Sequence, residues 1–466
     1  MPARSRELFK CGLAALLIIA AMCSTLSFAY GQTQITVTVN AAKSTGKNSL
    51  SLGMELTGEI GTFQSSSTLR NLASSAGFKM VRFINRFMEP CTQWNEALKT
   101  GTFQWTKIDS LIKNVIQMGA EPLICLGFFD WNTNKLVKPK GMTDDPATGL
   151  PRLDQWAAYC TAWVKHFQTV NLPVKYYEIV NEEFFYYGWN PTQPKLGNYV
   201  KLFNQAADSM RQVNPNVKIS FDDSNKKVAL NYFLTQGGKL DFLEFHRYGS
   251  SSMSATDQTL LTAAENLYIN DSSAKYGIDT ARQVYKNARG VTLPVIMSEG
   301  NLNSAYSSGT DSRTRKMLGA VYTALSIRTF MLKNVSYTVY HNFGSEGSTG
   351  VGMVDTTNNK PWYPYYAQQM IANNLAVGDS LVDSTSSSGD IRVIAWIHAG
   401  TLNTLLICKA NAARTVCMSG LKGTINYLKI DNTISWQTPR IQKGTLAQGA
   451  PITLNGYAVA LLQSKP

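Results

Sequence analysis

Two glutamates in this 466-residue chain stand where paired carboxyl groups could do acid–base chemistry. Glu182 follows the apolar run Tyr176–Val180 after one Asn, and Glu299 follows the run Val295–Met297 after one Ser. When two carboxyl groups face each other, one can protonate a leaving oxygen while the other, ionised, attacks carbon or activates water. Hydrolysis of a glycosidic bond requires such a pair. Either glutamate alone is more typical of a solvated loop carboxylate or a salt bridge.

The runs that carry these glutamates belong to a regular alternation along the chain. Eight short runs rich in β-branched or aromatic residues alternate with amphipathic stretches such as Ile108–Met118, Leu153–Thr169, Val200–Val213 and Met317–Leu332. This order predicts an α/β fold, a (β/α)8 TIM barrel over residues 35–375. A doubly wound open sheet is the alternative, but the sequence has no GxGxxG or GxxxxGK motif after any strand. The predicted strands are Leu50–Gly53, Met80–Phe83, Pro122–Leu126, Tyr176–Val180, Lys218–Phe221, Phe242–Phe245, Val295–Met297 and Ser336–Tyr340.

In a barrel of this type, the active site lies at the carboxyl ends of the strands. We therefore expect the polar residues that end the strands to lie close together. Asp222 and Asp223 are more typical of turn or helix-capping residues than of ligands. Three loop tryptophans are candidates for stacking on a sugar ring, with ordinary loop packing as the alternative. The candidates are Arg82, Asn181, Glu182, His246, Tyr248, Glu299, His341, Trp131, Trp189 and Trp362.

The pattern of apolar and polar residues changes after about residue 375. Short β-like runs such as Ile391–Ile397 and Leu402–Lys409 follow one another with turn residues between them and no helical pattern. This predicts a C-terminal all-β sandwich over residues 376–466. The alternating segment Gln34–Val39 precedes the barrel and is a candidate to join the sandwich.

The first 29 residues have the layout of a signal peptide. Arg4, Arg6 and Lys10 precede the apolar run Cys11–Met22, and Ser27-Phe28-Ala29 offers small residues for cleavage. We therefore expect a secreted, extracellular protein without a membrane contact after signal cleavage. An uncleaved anchor is the alternative.

Composition and motifs exclude several other classes of function. The net charge of +13 is scattered, with no run of five Lys or Arg, so nucleic-acid binding is not expected. No CxxC or HExxH motif occurs and only four His are present, so neither a metal nor another cofactor is expected. No GxSxG motif supports an acyl hydrolase. Whether Cys408 and Cys417 form a disulfide stays open, since they flank a turn-like stretch.

These strand ends resemble clan A of the glycoside hydrolases, which carry Asn-Glu after the fourth strand and Glu after the seventh. Within the clan, the chain is most similar to glycoside hydrolase family 39. Two positions depart from that family, because Glu183 replaces its usual Pro and Gly300 its usual Trp. Families 5, 30, 51 and 79 therefore stay open. The segments that carry the resemblance are Met80–Phe83, Trp105–Phe129, Tyr177–Glu183, Leu240–Tyr248, Pro294–Gly300 and Gly350–Pro361.

The resemblance implies a role for each matching residue. Glu182 would be the acid/base and Glu299 the nucleophile, with Arg82 keeping Glu299 ionised. Asn181 would bind the sugar hydroxyl beside the reacting carbon. Tyr248 would hydrogen-bond Glu299, and His246 would line the sugar subsite.

The resulting hypothesis is a secreted, retaining β-glycoside hydrolase that acts on β-linked poly- or oligosaccharides of the xylan or glucan type. It uses two Glu residues in a double displacement and needs no cofactor. The alternative is a non-catalytic carbohydrate-binding protein built on a glycosidase barrel. A structural surface protein fits less well, because the barrel makes up most of the chain. The sugar, the linkage, exo or endo action and the oligomeric state stay open.

Overall fold

The computed structural model describes residues 34–84, 88–130, 132–188, 194–222, 224–305, 310–345 and 350–466. The predicted signal peptide and two of the predicted stacking residues, Trp131 and Trp189, lie outside these ranges. No helix in the described ranges has the length and apolar character that crossing a membrane requires.

Eight parallel strands form the barrel, named here barrel strands 1 to 8 in chain order. Their hydrogen-bonded order is 5-4-3-2-1-8-7-6. Between strands 5 and 6, the Asp241 N–H donates to the Ile219 carbonyl and the Ser220 hydroxyl donates to the Phe242 carbonyl. The predicted TIM barrel is thus confirmed. The strands are Ser51–Leu56, Met80–Ile84, Glu121–Cys125, Tyr176–Glu178, Lys218–Ser220, Leu243–Tyr248, Val295–Asn301 and Tyr337–Tyr340.

Helices follow the barrel strands and pack around the sheet. Short extra strands stand in the loops after strands 2, 3 and 8, and a 3-10 helix, Ser312–Arg315, precedes the helix after strand 7. The helices are Ile60–Ser65, Ser67–Ser75, Thr106–Gln117, Leu153–Thr169, Phe184–Tyr187, Lys195–Val213, Lys227–Thr235, Asp257–Asn266, Ile278–Arg289, Met317–Leu332 and Tyr363–Ala372. The extra strands are Cys91–Asn95, Thr100–Phe103, Phe128–Phe129, Leu136–Val137, Gly344–Ser345, Val354–Asp355 and Lys360–Pro361.

The strand register places charged residues side by side at the carboxyl end of the barrel. Glu55 on strand 1 is the register partner of Arg82 on strand 2. His246 on strand 6 is the register partner of Glu299 on strand 7. Because parallel strands present the same end to one edge, these pairs meet at one mouth of the barrel.

Nine further strands form the β-domain, in one hydrogen-bonded sheet that includes the N-terminal strand Ile35–Lys47. That strand pairs with Ser380–Ser386 and with Arg414–Ser419. The strands Ile452–Leu454 and Ala458–Lys465 occupy the ninth and third places in the sheet order. Six strand spacings would separate them by about 29 Å in a flat sheet. The remaining strands are Ile391–His398, Thr401–Cys408, Lys422–Asp431 and Gln442–Leu446.

The connection between those two strands is too short for a flat sheet. Four residue steps from Leu454 to Ala458 reach at most about 14 Å. The sheet therefore curls over, and its inner face encloses an apolar core with Val37, Leu406 and Leu462 in it. This is the predicted sandwich.

The other face of the β-domain packs on the barrel. Side chains alternate along a strand, so Leu406 lies in the domain's own core while Leu405 and Ile407 join the large barrel core. Trp396 is fully buried at this junction, and its Nε1 donates to the Asn374 carbonyl at 2.5 Å.

The helix Met317–Leu332 runs under this junction. The sequence predicts an amphipathic helix with these bounds. The bounds are correct, but the helix is not amphipathic, because 14 of its 16 residues are buried. The reason is that the neighbouring helices Asp257–Asn266 and Tyr363–Ala372 cover one side, and the β-domain strands Thr401–Cys408 and Ala458–Lys465 cover another. A helix covered on both sides has no solvent face to mark with polar residues.

The five cysteines that the structure describes form no disulfide. Cys408 and Cys417 lie on strands four places apart in the sheet order, which is why their closeness in sequence does not bring them together.

The junction predicts that barrel and β-domain unfold together. Trp396→Ala should remove a fully buried ring and leave the Asn374 carbonyl without its donor, at a cost of about 3–5 kcal/mol. We expect a single thermal transition at a lower temperature by calorimetry. Leu332→Ala, at a side chain that is half exposed, is the matched control and should leave the transition in place. Two separate transitions, or an unchanged one in the Trp396 variant, would contradict this.

Candidate active site

Arg82 lies fully buried on barrel strand 2, and all five of its N–H donors are used. Its Nε and Nη2 bind the two carboxylate oxygens of Glu178 at 2.9 and 3.0 Å. Its Nη1 donates to Glu55 at 2.8 Å and to Glu299 at 3.0 Å, and Nη2 also donates to Asn181 Oδ1 at 2.5 Å. One guanidinium thus fixes side chains on strands 1, 4 and 7 and the Asn after strand 4.

Glu299 is surrounded by donors and positive charge. The Tyr248 hydroxyl donates to its Oε1 at 2.5 Å, and Arg82 binds its Oε2. Burial by itself raises the pKa of this carboxyl group. The charges of His246, His341 and Arg82, together with the Tyr248 hydrogen bond, outweigh burial and lower the pKa of Glu299 to about 2. Glu299 is therefore ionised at neutral pH.

His341 adds a positive charge on the other side of Glu299. Its Nδ1 lies 2.7 Å from Glu55, and its ring meets Tyr248 edge to face at 6.0 Å. Burial lowers the pKa of this imidazole, but the carboxylates of Glu55 and Glu299 raise it to about 9. The ring is therefore charged at neutral pH.

Glu182 has the opposite electrostatic setting from Glu299. Burial raises its pKa, the neighbouring His246 imidazole lowers it, and the negative charge of Glu299 raises it again, leaving the pKa above its ordinary value. Its side chain keeps 20 % exposure, so solvent or a ligand can reach it. Carboxyl oxygens of Glu182 and Glu299 lie within 4.8 Å of each other.

Asp222 holds the backbone of Glu182. Glu182 has a φ of 51°, a left-handed conformation that is uncommon for a residue with a Cβ. Its N–H donates to Asp222 Oδ2 at 2.7 Å, while Asp222 Oδ1 lies 2.9 Å from His246 Nε2. Asp222 is buried and precedes no helix as its cap. It therefore positions two site residues, which the expectation of a turn or capping residue missed.

His246 lies between the two glutamates. Its Nδ1 is 3.8 Å from Glu182 and 3.5 Å from Glu299. Burial lowers the pKa of this imidazole, but the Asp222 and Glu299 carboxylates raise it well above its ordinary value. His246 is thus a buried cation that both glutamates share.

Asn181 is buried with its amide orientation fixed. Its Oδ1 accepts from Arg82 and its backbone N–H donates to the Gly127 carbonyl at 2.9 Å. Because the oxygen is taken, the NH2 group is the end of the amide that remains to donate. This matches the predicted contact to a sugar hydroxyl.

Glu183 turns away from Glu182 into the protein. It is fully buried, and the Tyr187 hydroxyl donates to its Oε1 at 2.5 Å. Burial raises its pKa well above the ordinary value, against the lowering effect of Lys226. The two neighbouring glutamates thus occupy different environments.

Trp362 is buried, with 3 % of its surface exposed. Its ring packs 5.7 Å from that of Trp436 of the β-domain, and the Lys360 ammonium lies 4.5 Å from its centroid. Trp362 therefore packs against other side chains, which is the alternative to stacking on a sugar ring. Stacking of Trp362 on a sugar stays a prediction without geometric support.

Among the residues that the structure describes, three groups of carboxylates and His have ligand atoms close enough to hold a metal ion: Glu55 with Glu299 and His341; Glu178 with Asp222 and His246; and Glu182 with His246 and Glu299. Every group includes His246 or His341. Both imidazoles have a raised pKa, and a protonated imidazole has no lone pair for a metal. Metal binding at any of the three groups would therefore have to displace a proton from an imidazole.

Sequence reasoning missed Glu55 and Glu178, which bind Arg82 from strands 1 and 4. Both are fully buried charged residues inside apolar strands. That isolated charge within a buried run is the signal that could have identified them, since such residues are buried only when paired.

No family model matches this chain, and no curated protein matches it. Solved structures do. A family 39 β-xylosidase from Caulobacter crescentus aligns with a TM-score of 0.65 at 15 % identity, over 92 % of this chain and 100 % of that one. A glucosidase from Croceicoccus marinus aligns with a TM-score of 0.66 at 12 % identity, over 93 % and 99 %. A family 30 endoxylanase from Clostridium papyrosolvens aligns at 0.59 and 14 %, over 93 % and 100 %.

These alignments cover the barrel and the β-domain together. At such identities the alignments show that the fold is shared, but they do not show which substrate this chain binds. The resemblance to clan A and family 39 expected from the sequence is confirmed at that level: the chain has the two-part fold of these glycoside hydrolases.

Proposed function

We propose that this protein is a retaining β-glycoside hydrolase with Glu299 as nucleophile and Glu182 as acid/base. The observation that carries the proposal is the pair itself. Two carboxyl groups stand with oxygens within 4.8 Å of each other, and their surroundings move their pKa values in opposite directions. Enzymes that hydrolyse glycosides need one ionised and one protonated carboxyl group at once.

In the first step, the ionised Glu299 attacks the anomeric carbon and the bond to the leaving oxygen breaks. The carboxyl proton of Glu182 moves to that oxygen, which leaves as a hydroxyl group. Glu299 is now an ester and has lost its negative charge. That charge had raised the pKa of Glu182, so the proton affinity of Glu182 falls once the ester forms.

In the second step, Glu182 acts as the base. It takes a proton from water, the water oxygen attacks the anomeric carbon, and the ester bond to Glu299 breaks. Arg82 and Tyr248 again stabilise the released carboxylate. The same residue serves as acid and then base because the charge beside it changes between the steps.

The residues around the pair support binding of the sugar. The Asn181 amide, fixed by Arg82, offers its NH2 group where a hydroxyl of the bound sugar would lie. A contact that strengthens as positive charge develops on the sugar contributes to the rate rather than to binding alone.

For the substrate, we propose β-linked glycans of the xylan or glucan type. The similar structures include proteins described as a β-xylosidase, a glucosidase and an endoxylanase. Gly300 stands beside the proposed nucleophile where family 39 usually has Trp, so the surface next to Glu299 differs from that of the family. A Cβ there would lie 2.8 Å from the Arg247 carbonyl, so the family's Trp would need a shifted backbone. The signal-peptide layout supports the further proposal that the enzyme is secreted.

A non-catalytic carbohydrate-binding protein is the second candidate. It would need the barrel and the polar mouth but not the opposed pKa values of Glu182 and Glu299. The buried cations that keep Glu299 ionised favour the enzyme.

The stereochemistry of the product tests the function directly. Inverting enzymes separate their carboxyl groups by about 6.5–9.5 Å to admit a water, and retaining enzymes by about 5–5.5 Å. We expect NMR of the first product from an aryl β-glycoside to show the β-anomer. The α-anomer would contradict the mechanism, and absence of turnover on a panel of aryl glycosides and polysaccharides would favour the binding protein.

Variants of the adjacent glutamates test which one is the acid. Glu182→Ala should lower kcat on a natural glycan by about 10²–10⁴-fold, because no other group protonates the leaving oxygen. Azide should restore turnover of a dinitrophenyl glycoside and give a β-glycosyl azide. Glu183→Gln, which keeps the shape of the neighbouring buried side chain, is the matched control and should show neither effect. If azide instead rescued the Glu183 variant, Glu183 rather than Glu182 would be the acid, and the proposed assignment would be wrong.

The acid limb of the pH–activity profile tests whether the surroundings of Glu299 lower its pKa. Activity requires Glu299 ionised and Glu182 protonated, so it falls below the pKa of Glu299 and above that of Glu182. The Tyr248 hydrogen bond lowers the pKa of Glu299. Tyr248→Phe should therefore move the acid limb of kcat/KM upward from about 2 and lower kcat. Tyr340→Phe, at a buried tyrosine on strand 8, is the control. An unmoved acid limb in the Tyr248 variant would show that the bond does not set this pKa.

A further inference from the structure

A second cleft lies at the junction of the barrel and the β-domain. It has a volume of about 520 Å³, within the range of about 300–1,000 Å³ typical of small-molecule sites. Its barrel side is the start of the helix Asp257–Asn266, including Gln258. Its other walls come from β-domain turns with Asn411 and from Tyr457.

The charged residues of the cleft are all engaged with other protein groups. Asp257 accepts from Arg313 at 2.9 Å, Asp390 pairs with Arg414 at 2.7 Å, and Lys409 pairs with Glu265 at 2.6 Å. An ionic ligand would therefore find no unpaired countercharge among these lining residues. This points to a neutral ligand.

The groups that remain suit a sugar. The exposed amides of Gln258 and Asn411 each carry donors and an acceptor, and one N–H of Gln258 is already used by the Thr262 hydroxyl at 3.0 Å. The Tyr457 ring is half-buried, and its hydroxyl is fixed on Asp257 Oδ2 at 2.9 Å, so the ring costs little entropy to use as a contact surface. Amides around a fixed ring match a ligand with many hydroxyl groups and an apolar ring face.

The barrel wall of the cleft lies towards the same end of the barrel as the candidate active site. The helix that begins at Asp257 follows barrel strand 6, so its first residue lies towards the carboxyl end of that strand. Arg313 joins Asp257 to Asp311, and Asp311 accepts from Asn303, two residues beyond strand 7. A continuous chain of contacts thus runs from the cleft to the strand that carries Glu299.

We propose that this cleft is a second binding site for a neutral glycan chain, outside the site that holds the reacting bond. Its role is to anchor a polysaccharide whose cleaved bond lies at the barrel mouth. The identity of the ligand rests on the proposed function, while the existence of the site rests on the cleft itself.

The test uses the full chain with Asn411→Ala, Gln258→Ala and Tyr457→Ala. The control is Asn426→Ala, an exposed residue elsewhere on the β-domain. An aryl glycoside reaches only the barrel mouth, so its kcat/KM should stay within about twofold. On xylan or β-glucan, KM should rise about fivefold or more, since a second contact on one chain raises the effective concentration at the first. The first two variants change exposed side chains, so they keep the test meaningful if the Tyr457 variant folds poorly.

Retention on insoluble xylan and β-glucan separates this proposal from the proposed function. If the wild-type chain binds these polymers without cleaving them, loss of binding in the cleft variants still supports the second site and only the enzyme fails. Equal effects on aryl glycoside and polymer, unchanged KM and retention in all three variants, or no polymer binding by the wild type would overturn the second site.

Discussion

The buried guanidinium of Arg82 is the interaction on which the rest of the site depends. Removing a charge from water costs several kcal/mol per ion, and the cost is recovered only with close partners and full hydrogen bonding. Arg82 meets that condition because each of its five donors has an acceptor within 2.5–3.0 Å. Its partners come from three other strands. The barrel must therefore keep its register for the charge to be tolerated, and loss of one partner would leave an N–H donor of the buried guanidinium without an acceptor.

The positive charges of His246, His341 and Arg82 together explain how two carboxyl groups of one type take opposite roles. Burial raises the pKa of both Glu182 and Glu299, so burial alone cannot distinguish them. The difference comes from position. Arg82 and His341 lie on the Glu299 side, and Glu182 meets only His246 across 3.8 Å while facing the charge of Glu299. A strand register that moved His246, His341 and Arg82 away from Glu299 would remove the distinction.

Sequence reasoning reached the fold because apolar runs and their spacing are local properties. The eight strands occur at the predicted places, and Arg82, Asn181, Glu182, His246, Tyr248, Glu299 and His341 lie together. What it did not reach depends on geometry between distant segments. Glu55 and Glu178 gain meaning only when the register sets them beside Arg82. Asp222 reads as a turn residue until the next strands place Glu182 and His246 beside its two oxygens.

The burial of the helix Met317–Leu332 by the β-domain also depends on geometry between distant segments, and it links the β-domain to the candidate active site. The helix Met317–Leu332 carries the chain from strand 7, with Glu299, to strand 8, which ends before His341. Because nearly all of its residues are buried, it cannot shift without disturbing packing on both sides. The Arg328 guanidinium adds a fixed point by donating to the Val393 carbonyl of the β-domain at 2.8 Å. The domain thus holds in place the connection between the nucleophile and the imidazole that helps to keep it ionised. A second domain without a catalytic group of its own can in this way be a condition for the chemistry, because the charge on Glu299 depends on where His341 stands.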